Sequence, residues 1–179
     1  MARARRGRCL GRRKGSLGGS RLRYGKRRCD RTQAGDFQAA SSDAFRTVDT
    51  QAVLDNIDLG YFLVVVSRSP ERFRGDANAL EPVAGHIPHA RNRFYQTNLD
   101  ANGHFKSAEE LRREFEAAIG NYPSTDVVLQ CGSGVTACHN ALAMEIAGLG
   151  GARLYPGSWS EWIGDPSRPV ARSVPEAAG

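Results

Sequence analysis

The chain has 179 residues and a formal charge of +6, enough length for one compact domain whose core needs no disulfide staples. The charge is uneven: residues 1–35 hold thirteen Lys and Arg against one acid, whereas residues 36–179 hold twelve against eighteen. No apolar run approaches the roughly 20 residues that span a bilayer, and no secretory h-region is present. The four cysteines, Cys9, Cys29, Cys131 and Cys138, match no zinc spacing. These features predict a cytoplasmic protein with free thiols and neither metal nor other cofactor.

Residues 1–43 read as a basic, disordered tail, because the Arg- and Gly-rich segment 1–35 cannot bury enough surface to offset its ordering entropy. A nucleic-acid-binding arm is the lesser alternative. The glycines oppose the amphipathic helix of a mitochondrial presequence, and read-through ahead of a truncated gene is a third reading. From residue 44 the pattern is globular and runs to 172, with 173–179 a flexible end. Asp49 caps a short helix carrying Ala52, Val53 and Leu54. The β-branched run 62–66 reads as a parallel strand buried on both faces. Residues 67–85 read as a polar loop and 86–92 as containing a short strand.

Ser107, Ala108, Glu109 and Glu110 form a capping box for a helix through Leu111, Phe115, Ala118 and Ile119. Residues 126–130 are the second clear strand. Residues 136–149 read as a helix offering Ala141, Leu142, Met144, Ile146 and Ala147 to the sheet. A short strand at 152–155 and a Trp-containing turn follow. Strands alternating with helices predict an α/β fold, a parallel sheet with helices on both faces.

The chemistry gathers at Cys131-Gly132-Ser133-Gly134-Val135-Thr136-Ala137. A cysteine that ends a buried strand and precedes a Gly-containing loop and a helix N-terminus sits where open α/β sheets bind ligands. Gly132 and Gly134 let successive N–H groups turn inward, and the helix dipole adds positive potential. That environment lowers a thiol pKa. Cys138, in the first turns of the helix, reads as a packing residue. Cysteine phosphatases share this arrangement but need an arginine six residues after the cysteine to clamp phosphoryl oxygens. Ala137 stands there instead.

The stretch 131–137 resembles the active-site loop of mercaptopyruvate sulfurtransferases in the rhodanese superfamily. Gly85-His86-Ile87-Pro88, Arg72-Phe73-Arg74-Gly75 and Gly157-Ser158-Trp159-Ser160-Glu161-Trp162 are similar to further family motifs, and the likeness covers about residues 45–170. It corresponds to the second, catalytic half of a protein that usually has two tandem rhodanese domains. The resemblance implies a single rhodanese-like domain that moves sulfane sulfur from 3-mercaptopyruvate or thiosulfate to a thiol or cyanide through a Cys131 persulfide. It implies Cys131 and Ser133 as catalytic residues, with Arg72, Gly132, Gly134, Val135 and Thr136 binding the donor. For Ser133, a loop hydroxyl that satisfies backbone is an equal reading.

Neutral Gly132 and Ser133 suit a monoanionic donor, whereas thiosulfate-specific relatives carry basic residues there. Several positions depart from the family. Val66 replaces an acid, which leaves Arg68 without that partner; residues 76–84 lack the second substrate arginine; His89 and Phe94 replace glycine and proline. Without the first domain of two-domain relatives, an uncovered apolar surface invites self-association. The alternative function is a rhodanese-type sulfur carrier or binding module with little turnover. No membrane or nucleic-acid partner is expected of the domain.

Overall fold

Asp49 opens the first element: its carboxylate accepts the Ala52 N–H at 2.8 Å and caps α1 (Thr50–Leu59), which Gly60 ends in a left-handed conformation. The computed structural model describes residues 47–76 and 81–173. The expected tail at 1–43 and the C-terminal end at 174–179 lie outside the described residues. Strand β1 (Leu63–Val66) is buried along its whole length, as its unbroken apolar run requires. The loop expected at 67–85 contains a short helix, α2 (Pro70–Arg74), with Pro70 in its first turn. The strand expected within 86–92 reduces to β2 (Arg91–Asn92), and His86 pairs instead with Ala171 in an isolated antiparallel bridge.

The capping box is present. Ser107 and Glu110 satisfy each other's backbone N–H groups at the start of α3 (Ala108–Ile119). Strand β3 (Val127–Gln130) follows a 3-10 turn that includes Asp126. Helix α4 (Val135–Ile146) begins directly after the glycine loop, β4 (Arg153–Leu154) is short, and α5 (Ser158–Trp162) carries both tryptophans. The four strands form one parallel sheet in the order β2-β1-β3-β4.

Strand alternation divides the core in two. Leu63, Val65, Val127 and Leu129 pack with Leu111, Phe115 and Ile119 of α3 and with Ala141 and Met144 of α4. Val64 and Val128 point the other way, toward Val53 of α1, Tyr155, Trp159 and Trp162. The expected helix-covered parallel sheet is therefore what the chain forms. Two residues of α4 expected to face the sheet do not: Leu142 is 52% exposed, and Ile146 is also on the surface. Ala137, Ala141 and Met144, spaced four and three residues apart, occupy the buried face together with Ala143. Among the described residues, no helix is long and apolar enough to cross a membrane.

Candidate active site

The carboxyl ends of the central strands meet at the loop 131–134. Cys131 follows β3 directly, is nearly fully buried, and turns its side chain to the same face as Leu129 and α4. Gly134 makes the loop possible. Its φ of +84° is left-handed, and a Cβ there would lie 2.7 Å from the Pro156 carbonyl oxygen. Gly132 has no positive φ, contrary to the expectation that both glycines supply unusual backbone. Its small size matters instead, because a Cβ would come within 3.2 Å of Arg72 Nη2.

Burial pushes the Cys131 thiol pKa up, but the hydrogen bonds on its sulfur win. The Thr136 hydroxyl and the backbone N–H groups of Ala137, Ser133 and Thr136 together hold it below the ordinary thiol value. They belong to the loop and the first turn of α4, where the helix dipole also favours negative charge. The environment suits a thiolate.

A second layer fixes the loop from α5. Ser158 Oγ accepts the Cys131 N–H at 3.1 Å and donates to the Tyr155 carbonyl at 2.9 Å. The Cys131 carbonyl accepts the Trp159 N–H at 3.0 Å, and the Gly132 carbonyl accepts both the N–H and hydroxyl of Ser160. The motif at 157–162 thus acts on the backbone of Cys131 and Gly132. Ser158 itself adopts a positive φ of 52° to do so.

The arginines arrive from the end of β1. Arg68 is 2% exposed, stacks over the Trp159 ring at 4.6 Å, and donates Nη1 to Glu81 Oε2 at 2.7 Å and Nη2 to the Gly85 carbonyl. Burial pulls its pKa down and the Glu81 carboxylate opposes this. The expectation that Arg68 lacks an acidic partner is therefore corrected: Glu81, in the loop after α2, replaces the acid that Val66 cannot supply. Arg72 lies against the same carboxylate, with Nε 3.3 Å from Oε2 and Nη2 hydrogen-bonded to Oε1. Arg74 pairs with Asp76 instead.

His86 buttresses α2. Its Nδ1–H donates to the Phe73 carbonyl at 2.7 Å, which fixes the tautomer, and its ring stacks on Phe73 at 3.8 Å. Gly85, with φ +124°, lets the chain pass so close to Ala171 that a Cβ would sit 2.4 Å from its carbonyl oxygen.

The structure brings Cys131, Gly132, Thr136 and Arg72 together. Ser133 contributes its N–H to the sulfur while the residue is exposed, and Val135 stands 72% exposed at the rim. Cys138 is exposed, which corrects its reading as a packing residue; its sulfur lies 3.4 Å from the Gly134 carbonyl. Sequence reasoning missed Glu81, Ser158 and the Thr136 hydroxyl. The loop 67–85 holds three arginines and three acids, Glu71, Asp76 and Glu81, so its composition did not single out Glu81. Among the described residues, no cluster of His, Cys, Asp and Glu could hold a metal ion.

The chain is 43% identical over 137 residues to a probable 3-mercaptopyruvate sulfurtransferase of Pseudomonas aeruginosa, covering 76% of this chain and 48% of that protein. It is 38% identical to human 3-mercaptopyruvate sulfurtransferase, over 71% of this chain and 43% of the relative. Likewise, it is 38% identical to chicken thiosulfate sulfurtransferase, over 63% of this chain and 39% of the relative. The crystal structure of the Tum1 protein from Saccharomyces cerevisiae superposes with a TM-score of 0.61 at 29% identity, covering 71% of this chain and 46% of that one. The chain thus spans about half the length, or less, of the curated relatives it matches. With the model of the rhodanese-like domain matching residues 49–165, the chain belongs to the rhodanese family.

Proposed function

We propose that this domain is a sulfurtransferase that takes sulfane sulfur from 3-mercaptopyruvate or thiosulfate and passes it to a thiol or cyanide. One observation carries the reading: a buried cysteine sulfur faces a hydroxyl and three backbone N–H groups at a helix N-terminus. Such a cradle favours an anionic sulfur and serves a thiolate and a persulfide equally. The thiolate attacks the donor's outer sulfur and forms an S–S bond. With thiosulfate, sulfite leaves with the electron pair of the broken S–S bond; with 3-mercaptopyruvate, the C–S bond breaks and pyruvate forms after proton uptake. An acceptor thiolate or cyanide then attacks the outer sulfur and returns Cys131 as thiolate.

Arg72 is the donor-carboxylate anchor in this reading, supported by its place beside Gly132. Gly132, Gly134, Val135 and Thr136 shape the anion site, and Ser133 supplies an N–H and a mobile hydroxyl. Thiocyanate formation is measured with each donor in wild type and Cys131→Ser. Loss of at least a thousandfold in the variant is expected, and equal rates in the two proteins end the proposal. A Cys131 persulfide, seen by intact mass, that forms once and is not turned over favours the carrier reading. We also propose self-association, supported by Val135, Leu142 and Ile146, which lie seven and four residues apart along the outer side of α4. Sedimentation showing a monomer at every concentration would remove that part.

A further inference from the structure

We infer that Glu81 is a specificity-determining residue, tuning the donor site to a molecule with one negative charge rather than two. The inference rests on the reading of Cys131 as the sulfur-accepting nucleophile. Glu81 lies between two guanidinium groups and accepts from both: Arg68 Nη1 and Arg72 Nε on one oxygen, Arg72 Nη2 on the other. The trio carries a net charge of +1.

That charge is offered unequally. Arg68 is spent internally, on Glu81, the Gly85 carbonyl and the Trp159 ring. Arg72 keeps its side chain 27% exposed. Its Nη2 lies 3.2 Å, and Glu81 Oε1 3.6 Å, from where a Gly132 Cβ would stand. The charge therefore reaches the cysteine loop through Arg72, already partly neutralised. Residues 76–84 add no Lys or Arg, and Gly132 and Ser133 are neutral.

A donor arriving here also meets the Cys131 thiolate. A carboxylate with a single charge finds one cation to match it. A dianion such as thiosulfate brings a second charge that nothing in the trio balances, and at such separations an unbalanced unit charge is strongly disfavoured. Removing the Glu81 charge raises the trio to +2 and suits it to the dianion; removing the Arg72 charge lowers it to zero and leaves either donor without its cation.

The test compares kcat/KM for thiosulfate and 3-mercaptopyruvate in wild type, Glu81→Gln and Arg72→Gln at low ionic strength. Glu81→Gln keeps an oxygen acceptor for Arg68. The thiosulfate-to-mercaptopyruvate ratio is expected to rise about tenfold in Glu81→Gln, through KM rather than kcat, whereas Arg72→Gln, which removes the anchor itself, is expected to raise KM for both donors. Added salt erases the shift in the ratio. A ratio unchanged in Glu81→Gln overturns the inference, and if Glu81→Gln does not fold, protection of wild-type Cys131 decides: sulfate protecting as well as pyruvate at low ionic strength overturns it.

A readout without turnover separates this from the functional reading. Pyruvate and sulfate, as monoanionic and dianionic probes, are tested for protection of Cys131 against iodoacetamide at matched ionic strength. Pyruvate should protect wild type better than sulfate, and Glu81→Gln should reverse or level that order. This pattern in a protein that turns over neither donor would leave Glu81's role standing while the sulfurtransferase reading failed. Equal protection by the two probes in all three proteins would remove Glu81 from specificity.

Discussion

At Cys131 burial and hydrogen bonding pull in opposite directions, and the hydrogen bonds prevail. The Thr136 hydroxyl is the side-chain member of that set, so Thr136→Val should raise the thiol pKa and slow alkylation near neutral pH about tenfold, the worth of one charge-assisted bond. The pH profile of iodoacetamide modification measures this. Linkage gives a companion effect. The folded pKa lies below the unfolded one, so the thiolate's bonds add stability that is fully present above the unfolded value, about 8.5, and lost as pH falls through the folded value. Urea titrations in reductant should show wild type gaining on Cys131→Ser as pH rises toward about 8.5, with no further gain above it. Gly134→Ala meets both a left-handed φ and the Pro156 carbonyl, and should cost about 1–3 kcal/mol by the same titration. The place of Cys131 and its glycine loop at a strand end was legible in the sequence because these residues are contiguous. Glu81 was not, because its pairing with Arg68 spans a loop with no periodicity to read.

Among the elements, legibility followed length and periodicity. The runs that became β1 and β3 are apolar throughout, and the α3 capping box writes its own boundary. Helix α2 has five residues and β2 has two, too few for a repeat to emerge. Leu142 and Ile146 looked like core because they are apolar at helical spacing, yet the small residues Ala137, Ala141 and Ala143 let α4 approach the sheet and took the buried side. His89 is informative in the opposite sense. It holds a left-handed φ of 64° on the surface between the Gly85 turn and β2. Relief of that strain outweighs the extra unfolded-state freedom of glycine, so His89→Gly should stabilise the domain by up to about 1 kcal/mol. An ordinary exposed residue changed to glycine loses stability, which makes the sign of the shift in melting temperature decisive.

For the molecule as a whole, the two tryptophans report on a single cluster. Trp159 and Trp162 are fully buried beside Tyr155, Val64 and Val128, and Trp159 also carries Arg68 on its face. Tryptophan emission should therefore shift to the red in one step that coincides with loss of far-ultraviolet circular dichroism; separated midpoints would reveal that the two core layers melt independently. The parallel sheet lies between those layers, and its alternation has a consequence for the lineage of such sequences. Because Leu129 and Cys131 turn to one face and Val128 to the other, a one-codon insertion or deletion within β3 that kept its pairing would swap the faces. Cys131 would turn toward the tryptophans, and after an insertion Gln130 would take its place at the cradle. Natural length variation should therefore be absent from these four residues and accumulate in connections such as the one after α2, where an added residue leaves every side chain of the sheet pointing as before.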